Sequence, residues 1–271
     1  MLTSRIPSSS SAPRCVVYTC LFGFSEHFND FPYERDDRID YICFTDDPNL
    51  HSDFWDVRLT SCGMLDPARA AKRIKALPHV YLPEYDWSLY VDNTVRLKRP
   101  PRQLFDLFLA PSKSPFLCFR NPWRDCVYDE ATAVLYHGYD DPARVRKQMA
   151  FYRHLGYPEK AGLATVTLML RRHHDPALSL VMEHWHEQVL CHSLRDQLSL
   201  NPVAWFDRFS LGYFDYDFLD FELFEWPVIK DGIRVPRDFD DARYQQLNPD
   251  VTGNCREHYL LYGAAAGRPY K

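Results

Sequence analysis

Short β-branched and aromatic runs, each closed by a glycine or an acidic turn, recur along the first half of the chain and leave few folds open to it. Cys15-Val-Val-Tyr-Thr-Cys-Leu-Phe22 ends at Gly23, Asp40-Tyr-Ile-Cys-Phe-Thr45 is closed by Asp46-Asp47-Pro48, and Trp87-Ser-Leu-Tyr-Val91 ends at Asp92. Phe54 to Leu59 is a fourth candidate. Apolar runs of this length, bounded by turn residues, read as buried strands. Between them, Pro67 to Leu77 carries Arg69, Lys72, Arg73 and Lys75 and reads as a basic amphipathic helix. Strands alternating with helices predict an α/β domain with a largely parallel sheet and a ligand site at the strands' carboxyl ends.

Downstream, Arg102 to Leu109 reads as helical, Phe116 to Phe119 as extended and Asp141 to Leu155 as a helix with Pro142 near its start. Thr165 to Leu170 alternates like a strand, Pro176 to Leu190 reads as a helix, and Ser193 to Leu200 as a shorter helix capped by Ser193. After Pro236 the character changes: Tyr244-Gln-Gln-Leu-Asn-Pro-Asp-Val251, His258-Tyr-Leu-Leu-Tyr-Gly263 and Gly267-Arg268 predict two small helices separated by a turn. The expected organisation is a flexible lead over 1–14, one domain over 15–235 and a helical appendage over 236–271.

With 271 residues, 46% of them hydrophobic, the chain is long enough to bury one large core and carry a small accessory piece. A formal charge of −5 argues against general nucleic-acid binding, which needs a basic surface. No stretch approaches the roughly 20 apolar residues of a membrane span, and Met1 to Arg14 is Ser- and Pro-rich without an apolar signal core, so a cytoplasmic location is expected. The 8 cysteines are scattered without a CxxC pair, which favours reduced, buried thiols over disulfides or a zinc site. Aromatic residues make up 15% of the chain, more than a core usually needs; the surplus suits stacking on sugars or bases, although rings that simply fill the core are the plainer reading.

The chemistry centres on Ser88-Leu-Tyr-Val-Asp92-Asn93-Thr94-Val-Arg96. A carboxylate at a strand's end, with a second oxygen-bearing side chain two positions on, can hold a hard divalent cation against a diphosphate. Here Asp92 and Thr94 are the metal candidates for Mn2+ or Mg2+. Thr94 replaces the second Asp of an Asp-x-Asp pair, and a plain turn residue is the alternative for Asp92. Histidines at 184 and 186 are two apart on a predicted helix, so they do not share a face, and no HExxH pattern is present.

Upstream stands Lys72-Arg73-Ile-Lys75-Ala-Leu-Pro78-His79, and downstream Asn121-Pro-Trp-Arg124-Asp125-Cys-Val-Tyr128-Asp-Glu130-Ala and Ser193-Leu-Arg195-Asp196-Gln197-Leu-Ser. Taken in this order, from about Val16 to Trp226, the motifs resemble a glycosyltransferase domain family of plant mucilage-related Golgi proteins and bacterial surface-polysaccharide enzymes. The resemblance implies a GT-A-like, Rossmann-related fold and transfer of a sugar from a nucleotide diphosphate donor, with a UDP-sugar favoured, to a glycan hydroxyl. It implies that Thr19 to Phe24, including Phe22 and Gly23, line the nucleoside pocket with Thr45 and Asp46. Lys72, Arg73 and Lys75 then face the diphosphate, as their pairing with phosphate oxygens suits them to do, while Asp92 and Asn93 lie at the metal or sugar. A solvated helix face is the other reading of the basic run.

Asp196, flanked by Arg195 and Gln197, takes the place along the chain of an acceptor-side general base; a carboxylate serving the helix dipole is the alternative. Asp125 and Glu130 beside Arg124 form a second acidic set, as an ion pair or as acceptor contacts, and either is able to displace Asp196 as the base. His173, after Arg171-Arg172, is a further candidate for donor or acceptor contact. The tail resembles a short motif of bacterial surface proteins and large glycosyltransferases and is assigned no catalysis. It suggests a bacterial source and excision from a multidomain polysaccharide enzyme; separately, peripheral association with a polysaccharide-assembly complex at the inner face of the membrane is a partner expectation. A catalytically inactive carbohydrate-binding or scaffolding module on the same fold is the second reading. A nucleotidyltransferase ranks below it, because the chain lacks an early Gly-rich phosphate loop.

Overall fold

A computed structural model describes residues 13–23, 27–109, 114–228, 239–263 and 266–270. Its centre is a seven-stranded sheet of β1 (Cys15–Leu21), β2 (Ile39–Thr45), β3 (Asp56–Leu59), β4 (Trp87–Val91), β6 (Phe116–Arg120), β7 (Ala164–Arg172) and β8 (Gly212–Tyr213). The order is β3-β2-β1-β4-β7-β6-β8. Strands β3, β2, β1 and β4 are mutually parallel, and β6 and β8 are parallel to each other, while β7 runs antiparallel to both of its neighbours. A small ribbon pairs β5 (Arg96–Leu97) with β9 (Phe224–Glu225). This is the mixed, mostly parallel sheet flanked by helices that the strand and helix pattern predicts.

The strands are apolar on both faces because both are covered. On one face Val17, Tyr41, Leu89 and Leu168 pack with Phe105 of α3 (Pro101–Leu109) and with Phe214, Phe218 and Phe224. On the other, Val16, Ile42, Tyr90 and Val166 pack against α1 (Pro67–Ala76), α6 (Pro176–Cys191) and α7 (Gln197–Phe206), with Trp185 of α6 fully buried. A third cluster joins α4 (Val127–Tyr136) to α5 (Pro142–His154). The one-turn α2 (Pro78–Tyr81) follows α1 directly. In the tail, α8 (Asp241–Leu247) and α9 (Cys255–His258), continued by a π turn over Tyr259–Gly263, enclose a small core of Phe239, Tyr244, Val251 and Cys255.

Two local readings need correction. The helix expected over Ser193 to Leu200 begins at Gln197, and Ser193 does not cap it: its hydroxyl donates to Asp140 at 2.5 Å, and the Leu194 N–H donates to the same carboxylate. Helix α4 was not expected, because its Val-Tyr-Asp-Glu-Ala-Thr start has no side-chain cap and mixes weak helix formers. All eight cysteines are unpaired, and six are buried. Among the described residues no helix is long and apolar enough to cross a membrane. The expected lead over 1–14 lies outside the described residues except for 13 and 14.

Candidate functional site

The order β2-β1-β4 places the direction change of the crossovers between β1 and β4, where an open α/β sheet leaves a crevice at its carboxyl edge. A cavity of about 450 Å3 lies at this edge, in the size range of small-ligand sites. Asp92, just past β4, faces it, and its N–H donates to the Thr167 carbonyl of β7 at 2.8 Å.

Helix α1 supplies the positive charge. Asp66 caps it by accepting from the Arg69 N–H at 2.9 Å. Lys72 and Lys75, three apart, share one helix face and converge on a single oxygen of Asp196: Lys72 Nζ is 2.8 Å and Lys75 Nζ 2.7 Å from Oδ2. Burial alone would raise the Asp196 carboxyl, but the two lysines outweigh it and hold the group well below the ordinary carboxylate range. Burial pushes Lys75 down, against the pull of Asp196. Arg171 of β7, fully buried, reaches the carbonyl of Lys75 at 2.5 Å with Nη1 and donates to the Tyr18 hydroxyl with Nη2, so the end of α1 is clamped to the sheet.

Opposite stand Arg124 and Glu130, joined at 2.6 Å, with Glu130 buried at the start of α4. Asn121 shapes the preceding turn by accepting from the N–H groups of Trp123 and Arg124. Arg195 lines the cavity with its guanidinium carbon 4.9 Å from the centre of the Tyr139 ring, and Gln197 lines it while donating to the Ala164 carbonyl. Lys72, Lys75, Arg124 and Arg195 face Asp92, Glu130 and Asp196, leaving one positive charge in excess. The remaining wall is aromatic: Trp123, Phe218 and Trp226 stand with ring centres 5.3 to 6.2 Å apart.

Several expected residues lie elsewhere. Arg73 is one helix position off the Lys72–Lys75 face and packs over Tyr81, with its guanidinium reaching the Ser61 carbonyl. His173 sits at the opposite edge of the sheet, because β7 runs antiparallel and Arg172 pairs with the first residue of β4; its Nδ1 meets the Leu82 carbonyl at 2.9 Å. Asn93 is buried and turned inward, donating to the His27 carbonyl and accepting from the Asn29 N–H. Asp125 is exposed and outside the cavity lining. Thr94 is also outside the lining and gives its hydroxyl proton to Asp92 Oδ1 at 3.2 Å.

The residues expected at a nucleoside form a neighbouring group at the ends of β1 and β2. The Gly23 N–H donates to Asp46 Oδ1 at 2.9 Å, and Gly23 adopts a left-handed φ of 76°. Phe22 packs on the core, Thr45 is buried with its hydroxyl accepting from the Asp47 N–H, and the buried Thr19 hydroxyl has no partner. None of these lines the 450 Å3 cavity, and Phe24 lies outside the described residues.

Of the three carboxylates that line the cavity, Asp196 and Glu130 are held in ion pairs, which leaves Asp92 for Mn2+ or Mg2+, and among the described residues there is no group of three or more His, Cys, Asp or Glu side chains able to hold a metal. This donor set does not make a protein cage; it fits a cation that takes most of its ligands from substrate phosphates and water. Sequence reasoning missed Trp123, Phe218, Trp226, Thr165 and Thr167 as lining residues, and the one available hint was the aromatic surplus.

A charged crevice, walled in part by indole rings, thus lies at the carboxyl edge of this sheet. The TOD1/MUCI70, glycosyltransferase-like domain matches residues 47–215, and the chain belongs to that family. A probable hexosyltransferase, MUCI70 of Arabidopsis thaliana, is 29% identical over 145 residues. The match spans 51% of this chain and only 25% of the relative's length. Among solved structures, mouse xyloside xylosyltransferase 1 in its apo form aligns with a TM-score of 0.43 at 12% identity, covering 75% of this chain and 85% of that one.

Proposed function

We propose that this chain transfers a sugar from a nucleotide diphosphate donor, a UDP-sugar first among candidates, to a glycan hydroxyl in surface-polysaccharide assembly. The observation that carries the reading is the convergence of Lys72 and Lys75 on buried Asp196 beside Asp92, within an aromatic-walled cavity. Lys72 keeps a quarter of its side chain exposed and is the ammonium best placed to meet a phosphate, while Asp196 holds it in position. The acceptor oxygen forms a bond to the anomeric carbon as the bond from that carbon to the diphosphate oxygen breaks. Lys72 and Arg124 stabilise the departing charge.

A general base takes the hydroxyl proton. Asp196 is poorly suited, since two ammonium groups already share its oxygen. Asp125 lies outside the cavity, so the assignment passes to Glu130, which lines it and carries a single cationic partner, Arg124, on one oxygen, Oε2, against the two ammonium groups on Asp196. When bound, Mn2+ or Mg2+ at Asp92 would supply further charge neutralisation on the diphosphate.

Thermal unfolding with UDP, GDP, CMP and TDP, each with and without Mn2+, is the first measurement, because a ligand that binds only the folded state raises Tm. One nucleotide is expected to raise Tm selectively, and Lys72→Ala to remove that response. Glu130→Gln should keep the response while lowering sugar turnover by about 100-fold or more. No nucleotide response at all would favour the inactive carbohydrate-binding reading.

A further inference from the structure

Next to the charged cavity lies a second one, of about 410 Å3, and Asn121 and Phe218 line both. The two therefore adjoin across a shared wall at the end of β6. Their electrostatics differ. Where the first holds an excess of cations, the second has Asp215 and Asp217 against a single cation among its lining residues, Arg120, whose guanidinium carbon sits 4.0 Å from the centre of the Tyr213 ring. A phosphate-bearing ligand is thus drawn to one cavity and repelled from the other.

The second cavity also has a ring-bearing wall. Phe214, Tyr216 and Phe218 line it; Tyr216 is half-buried, while Phe214 and Phe218 belong to the core, Phe218 edge-on to Trp123 and Trp226 of the first cavity. This wall is fixed to the sheet: the Phe214 N–H donates to the Cys118 carbonyl at 2.8 Å, directly after β8 pairs with β6. The Tyr216 ring next to the exposed carboxylates of Asp215 and Asp217, which can accept from hydroxyls, forms a surface matched to a pyranose, with its apolar face and its rim of O–H donors.

We propose that the second cavity is the acceptor subsite and takes an uncharged saccharide, with half-buried Tyr216 as platform and Asp215 as the carboxylate that rejects acidic sugars. The proposal rests on the transfer reading above for the acceptor role, while saccharide binding at this place stands by itself. It gives the reaction a direction: the donor enters over α1, the acceptor along Asp215 to Phe218, and they meet at Asn121.

The test uses the full chain on an array of uncharged and uronic-acid oligosaccharides, with the UDP-induced Tm shift recorded on the same preparations. Uncharged members should be retained by the wild type, and Tyr216→Ala should weaken their retention about fivefold. Asp215→Lys, a change at an exposed position, should shift retention toward the uronic-acid members, and both variants should keep the nucleotide response. Wild-type preference for uronic acids, retention indifferent to both substitutions, or no retention of any member would overturn the proposal. Retention as expected without any nucleotide response would support the saccharide site and sink the transfer reading instead.

Discussion

At the scale of single residues, the Lys72–Asp196–Lys75 group dominates. Lys75 is nearly inaccessible, and its ammonium relies on Asp196 for charge compensation. Removing one partner of a buried pair leaves the other uncompensated, at a cost of about 3–5 kcal/mol. Asp196→Asn should therefore lower urea-denaturation stability by about that amount at pH 7, and adding Lys75→Met should restore part of it. Because the folded Asp196 carboxyl lies below its unfolded value, its contribution is complete above about pH 4 and declines as pH falls below that. His173 shifts with a different consequence. Burial, then the charge of Arg171, lowers it to about 3 from 6.5. Between those values the unfolded chain binds a proton that the folded chain refuses, so stability falls as pH drops from 6.5 toward 3. His173→Gln should flatten that part of the profile without abolishing the slope, since burial also lowers His79, His186 and His192.

At the scale of elements, legibility followed how local the determining interactions are. Strands β1, β2 and β4 could be read because both-face burial writes itself as an unbroken apolar run, and α1 because Pro67, Asp66 and the lysine spacing mark its start and face. The departure of Arg73 from the cavity follows from the same helical geometry once Lys72 and Lys75 fix the face. What escaped depends on contacts between distant segments: Trp123 and Trp226 meet only because the chain returns along β8 to lie beside β6. His173 was misplaced because nothing local shows that β7 runs against its neighbours. Strand β8 holds this arrangement through Gly212, where an added Cβ would lie 2.4 Å from the Phe116 carbonyl oxygen and 2.6 Å from Ser114 Oγ. Gly212→Ala must push β8 off β6. We expect about 1–3 kcal/mol of destabilisation together with weakened saccharide retention, read by urea unfolding and by the same array.

For the molecule as a whole, the question is whether the tail belongs to the unit that carries the two cavities. Its core of Phe239, Tyr244, Val251 and Cys255 is separate from the three clusters that line the sheet and α4–α5. Polar bonds also tie the tail to itself: Asn248 donates to the Tyr244 and Pro269 carbonyls, Tyr244 bonds His258 at 3.0 Å, and Arg268 pairs with Asp250 at 2.7 Å. Every residue lining either cavity precedes the tail. A folding unit is defined by a core of its own and few contacts across its boundary, and on the strength of its separate core we propose that the tail, from about residue 236 as expected from the sequence, is such a unit. A chain ending at residue 235 should therefore unfold in one cooperative transition, with Tm within about 4 °C of the full chain and an unchanged response to nucleotide. A non-cooperative transition, or loss of the nucleotide response, would mean that the tail completes the cleft rather than extending from it.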